Sequence, residues 1–221
     1  GQGNRIRLLH ADDERTEGLM VADAIKTTQI DQDRQFKDFA ILYRTNSQSR
    51  SMEEALRKLA IPYKIYQGIS FYGRKEIKDV LAYLRLVVNN HDDESLLRII
   101  NYPARGIGQT TMDKIRTAAA DNDISVWTAL ENLQQFGLPI GSAAVRKIDE
   151  FVSMIRRFTS LMYTTDAYTL GKQIVYNSGI IKMMREDEDP ENPGRIENIE
   201  ELLNGIQEFV EKEEEITRSE E

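Results

Sequence analysis

Cysteine is absent from the 221 residues. That excludes disulfides and thiolate metal sites and fits a reducing compartment, so a cytoplasmic location is expected. Histidine occurs twice, at His10 and His91, too few for a histidine-built metal centre. No apolar run approaches the roughly 18 residues that a membrane span requires, so no membrane contact is expected. Residues 1–5 carry no signal-peptide apolar core. A phosphate loop of the form G-x-x-x-x-G-K-[ST] is also missing: Gly171-Lys172 lacks both the upstream glycine and the following hydroxyl residue. The acidic run Asp12-Asp13-Glu14 lies at a strand-to-helix turn and reads as decoration of a helix amino-terminus. Residues 186–191 lack the alternating ligands and central glycine of a calcium loop and read as a solvated linker. A self-contained catalytic site is therefore not expected, and neither is a metal or cofactor held by these residues alone.

What is present is ordinary for a soluble protein: 40% apolar and 30% charged residues. The length allows one large domain or two small ones with a real core. The net charge of −8 is unevenly placed, for residues 141–221 hold 10 basic against 18 acidic side chains. The first two thirds are near neutral and can carry local basic sites for a polyanion.

The organising stretch is Phe39-Ala-Ile-Leu-Tyr-Arg-Thr-Asn-Ser-Gln-Ser-Arg50. Its short apolar run predicts a strand buried on both faces. Thr45 and Gln48 have the spacing of a capping box, and Met52, Ala55, Leu56 and Leu59 recur at helical spacing. Residues 6–10 and 63–67 read as further strands around a first helix near Leu19 to Ile25. The order βαβαβ predicts half of a parallel sheet, with Arg44 and Asn46 at a strand's carboxyl end, where open α/β sheets bind ligands. A helix amino-terminus there favours an anion such as phosphate.

Beyond Gly68 the periodicity turns helical. Helices are expected over residues 74–88 (stripe Ile77, Leu81, Leu84, Val88), 92–101, from Thr110 or Thr111, from Ser125, over 141–161, 170–176 and 180–184, and from Arg195 onward. Residues 186–194 read as a loop and 211–221 as a frayed tail. No internal repeat occurs. Between two of these helices lies Pro103-Ala-Arg-Gly-Ile-Gly-Gln-Thr-Thr111. Glycines permit a tight turn and close backbone approach, Ile107 can pin the turn to the core, and the next helix then presents free N–H groups. The arrangement suits one phosphate held without reading sequence, and equally a plain glycine-capped turn. Tyr63, Tyr66, Phe71, Tyr72 and Tyr83 could stack bases or fill a domain junction.

The 39–54 stretch resembles the second motor domain of UvrD/PcrA/Rep-type superfamily 1 DNA helicases. The resemblance to the family continues through Ile61-Pro62-Tyr63, Phe71-Tyr72-Gly73-Arg74-Lys75-Glu76-Ile77-Lys78-Asp79, Ala82-Tyr83-Leu84-Arg85 and Asn101-Tyr102-Pro103-Ala104-Arg105-Gly106-Ile107-Gly108, and Arg195-Ile196-Glu197-Asn198-Ile199-Glu200-Glu201-Leu202 resembles the family's late helix. These matches, in order, cover most of the chain, with residues 110–190 matching only in pattern and Gly73 replacing a more usual acidic residue. The resemblance implies a partial P-loop NTPase (RecA-like) α/β unit over residues 1–68, called 2A, and over 69–221 a helical accessory domain, 2B, with a helix-hairpin-helix-like element. It implies that Arg44, Thr45 and Asn46 contact single-stranded DNA. It places duplex contacts at Arg105, Gly106, Ile107, Gly108 and Thr110, and a hinge at Gln67 and Gly68. The parent protein would be an ATP-dependent 3′→5′ helicase of repair or replication that uses ATP and Mg, with its nucleotide motifs outside these residues. The rival reading is a protein-interaction module whose acidic helices after residue 141 dock repair or transcription proteins. A helicase–nuclease relative is the third.

Overall fold

The computed structural model describes residues 6–45, 47–65 and 69–220. Cα packing divides the chain into two compact units, Gly1–Arg74 and Lys75–Glu221.

The first unit is built on two helices, α1 (Glu14–Asp31) and α2 (Ser49–Lys58). Asp13 caps α1 by accepting the Thr16 N–H at 2.6 Å, so the acidic turn does serve a helix start. One core cluster joins Ala22, Ala55, Leu56 and Ile61, flanked by Leu19, Ile25, Phe36, Ile41 and Leu59, and Met52 and Phe71 are buried as well. Gly18 lets the two helices approach closely, since a Cβ there would lie 2.7 Å from the Ser51 carbonyl oxygen.

The expected partial parallel sheet does not form. No strand occurs among the described residues, and several apolar side chains meant for its faces point into solvent: Ile6 is 99%, Leu8 95% and Leu42 94% exposed, while Ile41 packs on the helical core. A doubly buried strand needs hydrogen-bonded neighbours and a helical layer on each face. Three short runs separated by helices supply the apolar pattern without supplying those partners. The RecA-like reading of residues 1–68 is therefore corrected to a helical pair with extended connections.

The second unit is all helical among the described residues: α3 (Lys75–Val88), α4 (Asp93–Ile99), α5 (Gln109–Asp121), α6 (Val126–Glu131), α7 (Ser142–Leu161), α8 (Ala167–Asn177), α9 (Ile180–Glu186) and α10 (Asn192–Glu220). The caps follow the sequence: Asp92, Ser125 and Asp166 each accept a backbone N–H of the first turn. α3 is central, touched by α4, α7, α8 and α10. Its buried side is consequently wide, taking in Ile77, Val80, Tyr83, Leu86 and Val87, while Val88 lies 69% exposed. The Ile77–Leu81–Leu84–Val88 stripe is thus rotated from the true face, because a helix packed on several sides is not amphipathic in the simple sense. The acidic loop shrinks to residues 187–191, and Arg195 ties it down through Asp189, Asn192 and Glu191.

Candidate nucleic-acid interface

In the first unit, the turn before α2 keeps part of its predicted capping chemistry. Gln48 Oε1 accepts the N–H groups of Arg44 and Thr45 at 3.0 and 3.2 Å, and Thr45 Oγ1 meets Ser47 Oγ at 2.9 Å. The helix itself starts later, at Ser49. Arg44 is exposed, and its guanidinium has no protein partner among the described residues. Asn46, Gln67 and Gly68 lie outside the described residues.

Behind this turn sits a buried polar cluster that pattern reading missed. Arg50 is 2% exposed and pairs with Glu54 at 3.2 Å. Glu53, 3% exposed, accepts from Tyr63 Oη, Ser70 Oγ and the Phe71 N–H at 3.1, 2.6 and 2.9 Å. Burial, and then the hydrogen bond to Glu54, push the Tyr72 hydroxyl up to about 12. The available signal was positional: Arg50 and Glu53 interleave with Met52, Ala55 and Leu56, so a helix burying those apolar residues also carries charge inward. Phe71 and Tyr83 are fully buried, which removes both from any base-stacking surface.

In the second unit, α4 and α5 flank the turn over residues 100–108. Asn101 Oδ1 folds it by accepting the N–H groups of Arg105 and Ile107 at 2.8 and 3.3 Å. Gly106 takes φ +71°, a conformation that favours glycine. Ile107 is 1% exposed and anchors the turn. Gly108 caps α5 with no side-chain bond, and no atom lies within 4 Å of where its Cβ would be. The N–H groups of Gly106, Gly108, Gln109 and Thr110 have no protein acceptor among the described residues. Four unpaired donors thus lie on exposed residues within the short rim 106–110, and free N–H groups at a helix start can bind an anion.

Arg105 lies beneath that rim. Its Nη1 donates to the carbonyls of Ile99, Ile100 and Pro103 at 2.9, 3.2 and 3.3 Å. Its Nη2 donates to Tyr83 Oη at 2.6 Å and the Ser178 carbonyl at 3.1 Å. The guanidinium also sits 5.2 Å from the Phe151 ring centre. Tyr83 in turn donates to the Tyr102 carbonyl at 2.6 Å. Burial raises the pKa of its hydroxyl, an effect the Arg105 charge opposes.

A model of the UvrD-like helicase C-terminal domain matches residues 1–221. The chain belongs to this family. The UvrD-like segment is 38% identical over 216 residues to the ATP-dependent DNA helicase PcrA of Bacillus subtilis (strain 168), covering 98% of the segment and 29% of that protein. It is 36% identical over 212 residues to DNA helicase II of Escherichia coli (strain K12), covering 96% and 29%. It therefore spans less than a third of the relatives it matches. Within the UvrD-like segment Gly171-Lys172 is part of α8, and a Cβ on Gly171 would lie 3.3 Å from the Leu203 side chain. That dipeptide is helix packing and does not fit a nucleotide phosphate. No group of acidic and histidine side chains able to hold a metal ion occurs among the described residues. No helix among them is long and apolar enough to cross a membrane.

Proposed function

We propose that this UvrD-like segment is the DNA-binding and regulatory part of an ATP-dependent 3′→5′ DNA helicase, with ATP and Mg held elsewhere in the parent protein. The first unit serves as part of the second motor domain, and the second unit as the accessory domain that meets duplex. The observation that carries this reading is the exposed rim of N–H groups at Gly106, Gly108, Gln109 and Thr110, which have no protein acceptor among the described residues. Backbone donors bind phosphate irrespective of base sequence, which a duplex motor requires. Ile107 fixes the rim to the core, and Arg105 adds positive potential from below. On the first unit, Arg44, whose guanidinium has no protein partner among the described residues, binds a single strand together with Thr45 and Asn46, the next two residues in sequence.

The test is binding to a duplex with a single-stranded tail and to single strand alone, each across a salt series. Arg44→Ala should weaken single-strand affinity about equally for all sequences while the melting temperature stays unchanged. Gly108→Val should weaken junction binding and spare the single strand. Unchanged affinities in both folded variants would overturn the assignment. The 221-residue chain alone should not hydrolyse ATP with or without DNA. Turnover that survives removal of contaminating ATPases would contradict the division of labour.

A further inference from the structure

We propose that Lys147 is the cation that closes on the phosphate at the Gly106–Gly108 rim, and that Arg105 is the positioning residue that holds the rim in place. The inference rests on the phosphate reading of the turn and adds to it a residue from α7. Arg105, the charge nearest in sequence, is committed: both terminal nitrogens donate to protein oxygens, four of them main-chain carbonyls. Lys147 has the opposite character. A Cβ built on Gly106 would collide with its Nζ and lie 3.6 Å from its Cε, so the side chain reaches directly over the glycine. Its Nζ makes no hydrogen bond or ion pair among the described residues.

The helix explains the placement. Lys147 and Phe151 are one turn apart on α7 and so share a face. Phe151 goes beneath the Arg105 guanidinium, and Lys147 one turn earlier comes over Gly106. The turn therefore gathers two cations, and the partners of Arg105 are carbonyls and a hydroxyl with no carboxylate among them. Unneutralised like charges beside free N–H donors favour an incoming anion, and a flexible lysine can follow it where the fixed arginine cannot. A bare Gly106 leaves room for both.

The experiment uses the 221-residue chain and a duplex with a single-stranded tail, with affinity measured against salt for wild type, Lys147→Ala, Lys147→Arg and Gly108→Val, each checked for native helicity. Lys147→Ala should lower junction affinity about 5- to 10-fold near 0.1 M salt and reduce the slope of log affinity against log salt by about 0.9, one phosphate's worth. Lys147→Arg should restore both. If Gly108→Val weakens binding and Lys147→Ala does not, the rim binds phosphate without Lys147 and this proposal falls alone. If neither variant changes affinity or slope, or the wild-type chain does not bind the junction, the proposal and the phosphate reading fall together.

Discussion

At the scale of single residues, the arginine beside the glycine turn is held by groups distant in sequence. Tyr83 and Ser178 accept from its Nη2 across 22 and 73 residues of sequence. Arg105→Ala would strand four carbonyls and a tyrosine hydroxyl in a half-buried setting. The expected loss is about 2–3 kcal/mol, since unmade bonds to buried polar groups cost more than made ones gain. Arg105→Lys should fall between, because three donors on a point charge cannot reproduce the planar fork. Urea unfolding of the three proteins measures this, and equal midpoints would contradict the role. Glu53 belongs to the same class: a charge whose partners, Tyr63, Ser70 and Phe71, are set by the fold.

At the scale of elements, the contact of α1 with α2 turns on Gly18. Alanine there would gain about 1 kcal/mol in helix propensity. Its Cβ would also press on main-chain atoms of Ser51, which cannot rotate away as a side chain would. Overpacking costs about 1–3 kcal/mol, so Gly18→Ala should destabilise on balance, as a melt would read. The helix caps give a pH dependence. Hydrogen bonds from the Ser95 hydroxyl and N–H hold Asp92 below the usual carboxylate value, and the Thr169 hydroxyl and N–H do the same for Asp166. A depressed folded value means stability is present above the unfolded value of about 4 and is lost as pH falls through the folded one. Asp92→Ala should therefore cost about 1 kcal/mol at pH 7, with the gap to wild type narrowing below about pH 4. A gap that widens on acidification would contradict the sign.

At the scale of the whole molecule, two compact units of unequal core imply two unfolding steps. The first unit buries Ala22, Met52, Ala55, Leu56, Ile61 and Phe71 and leaves Ile6, Leu8 and Leu42 in solvent. The second has a continuous helical core around Ile77, Tyr83, Ile155 and Phe158. Calorimetry should show the first unit melting at the lower temperature, with Gly18→Ala moving only that step and Arg105→Ala only the later one. A single transition shifted by both variants would refute this.

By itself the sequence determined the helices of the second unit, since a 3.6-residue period flanked by Asp or Ser caps is a local signal. α6 begins after Ser125, α7 after Gly141 and α9 at Ile180, as read from the residues. It also marked the glycine turn, because a left-handed φ at Gly106 is a demand of the backbone itself. Tertiary structure alone decided whether apolar runs become a sheet, for strand pairing depends on neighbours that no period encodes. It decided which side of α3 is buried, for that follows from the helices around it. And it decided which cation is tied and which is free at the turn: Arg105 is bound by oxygens distant in sequence, while Lys147 arrives over Gly106 on a helix that begins 36 residues after it.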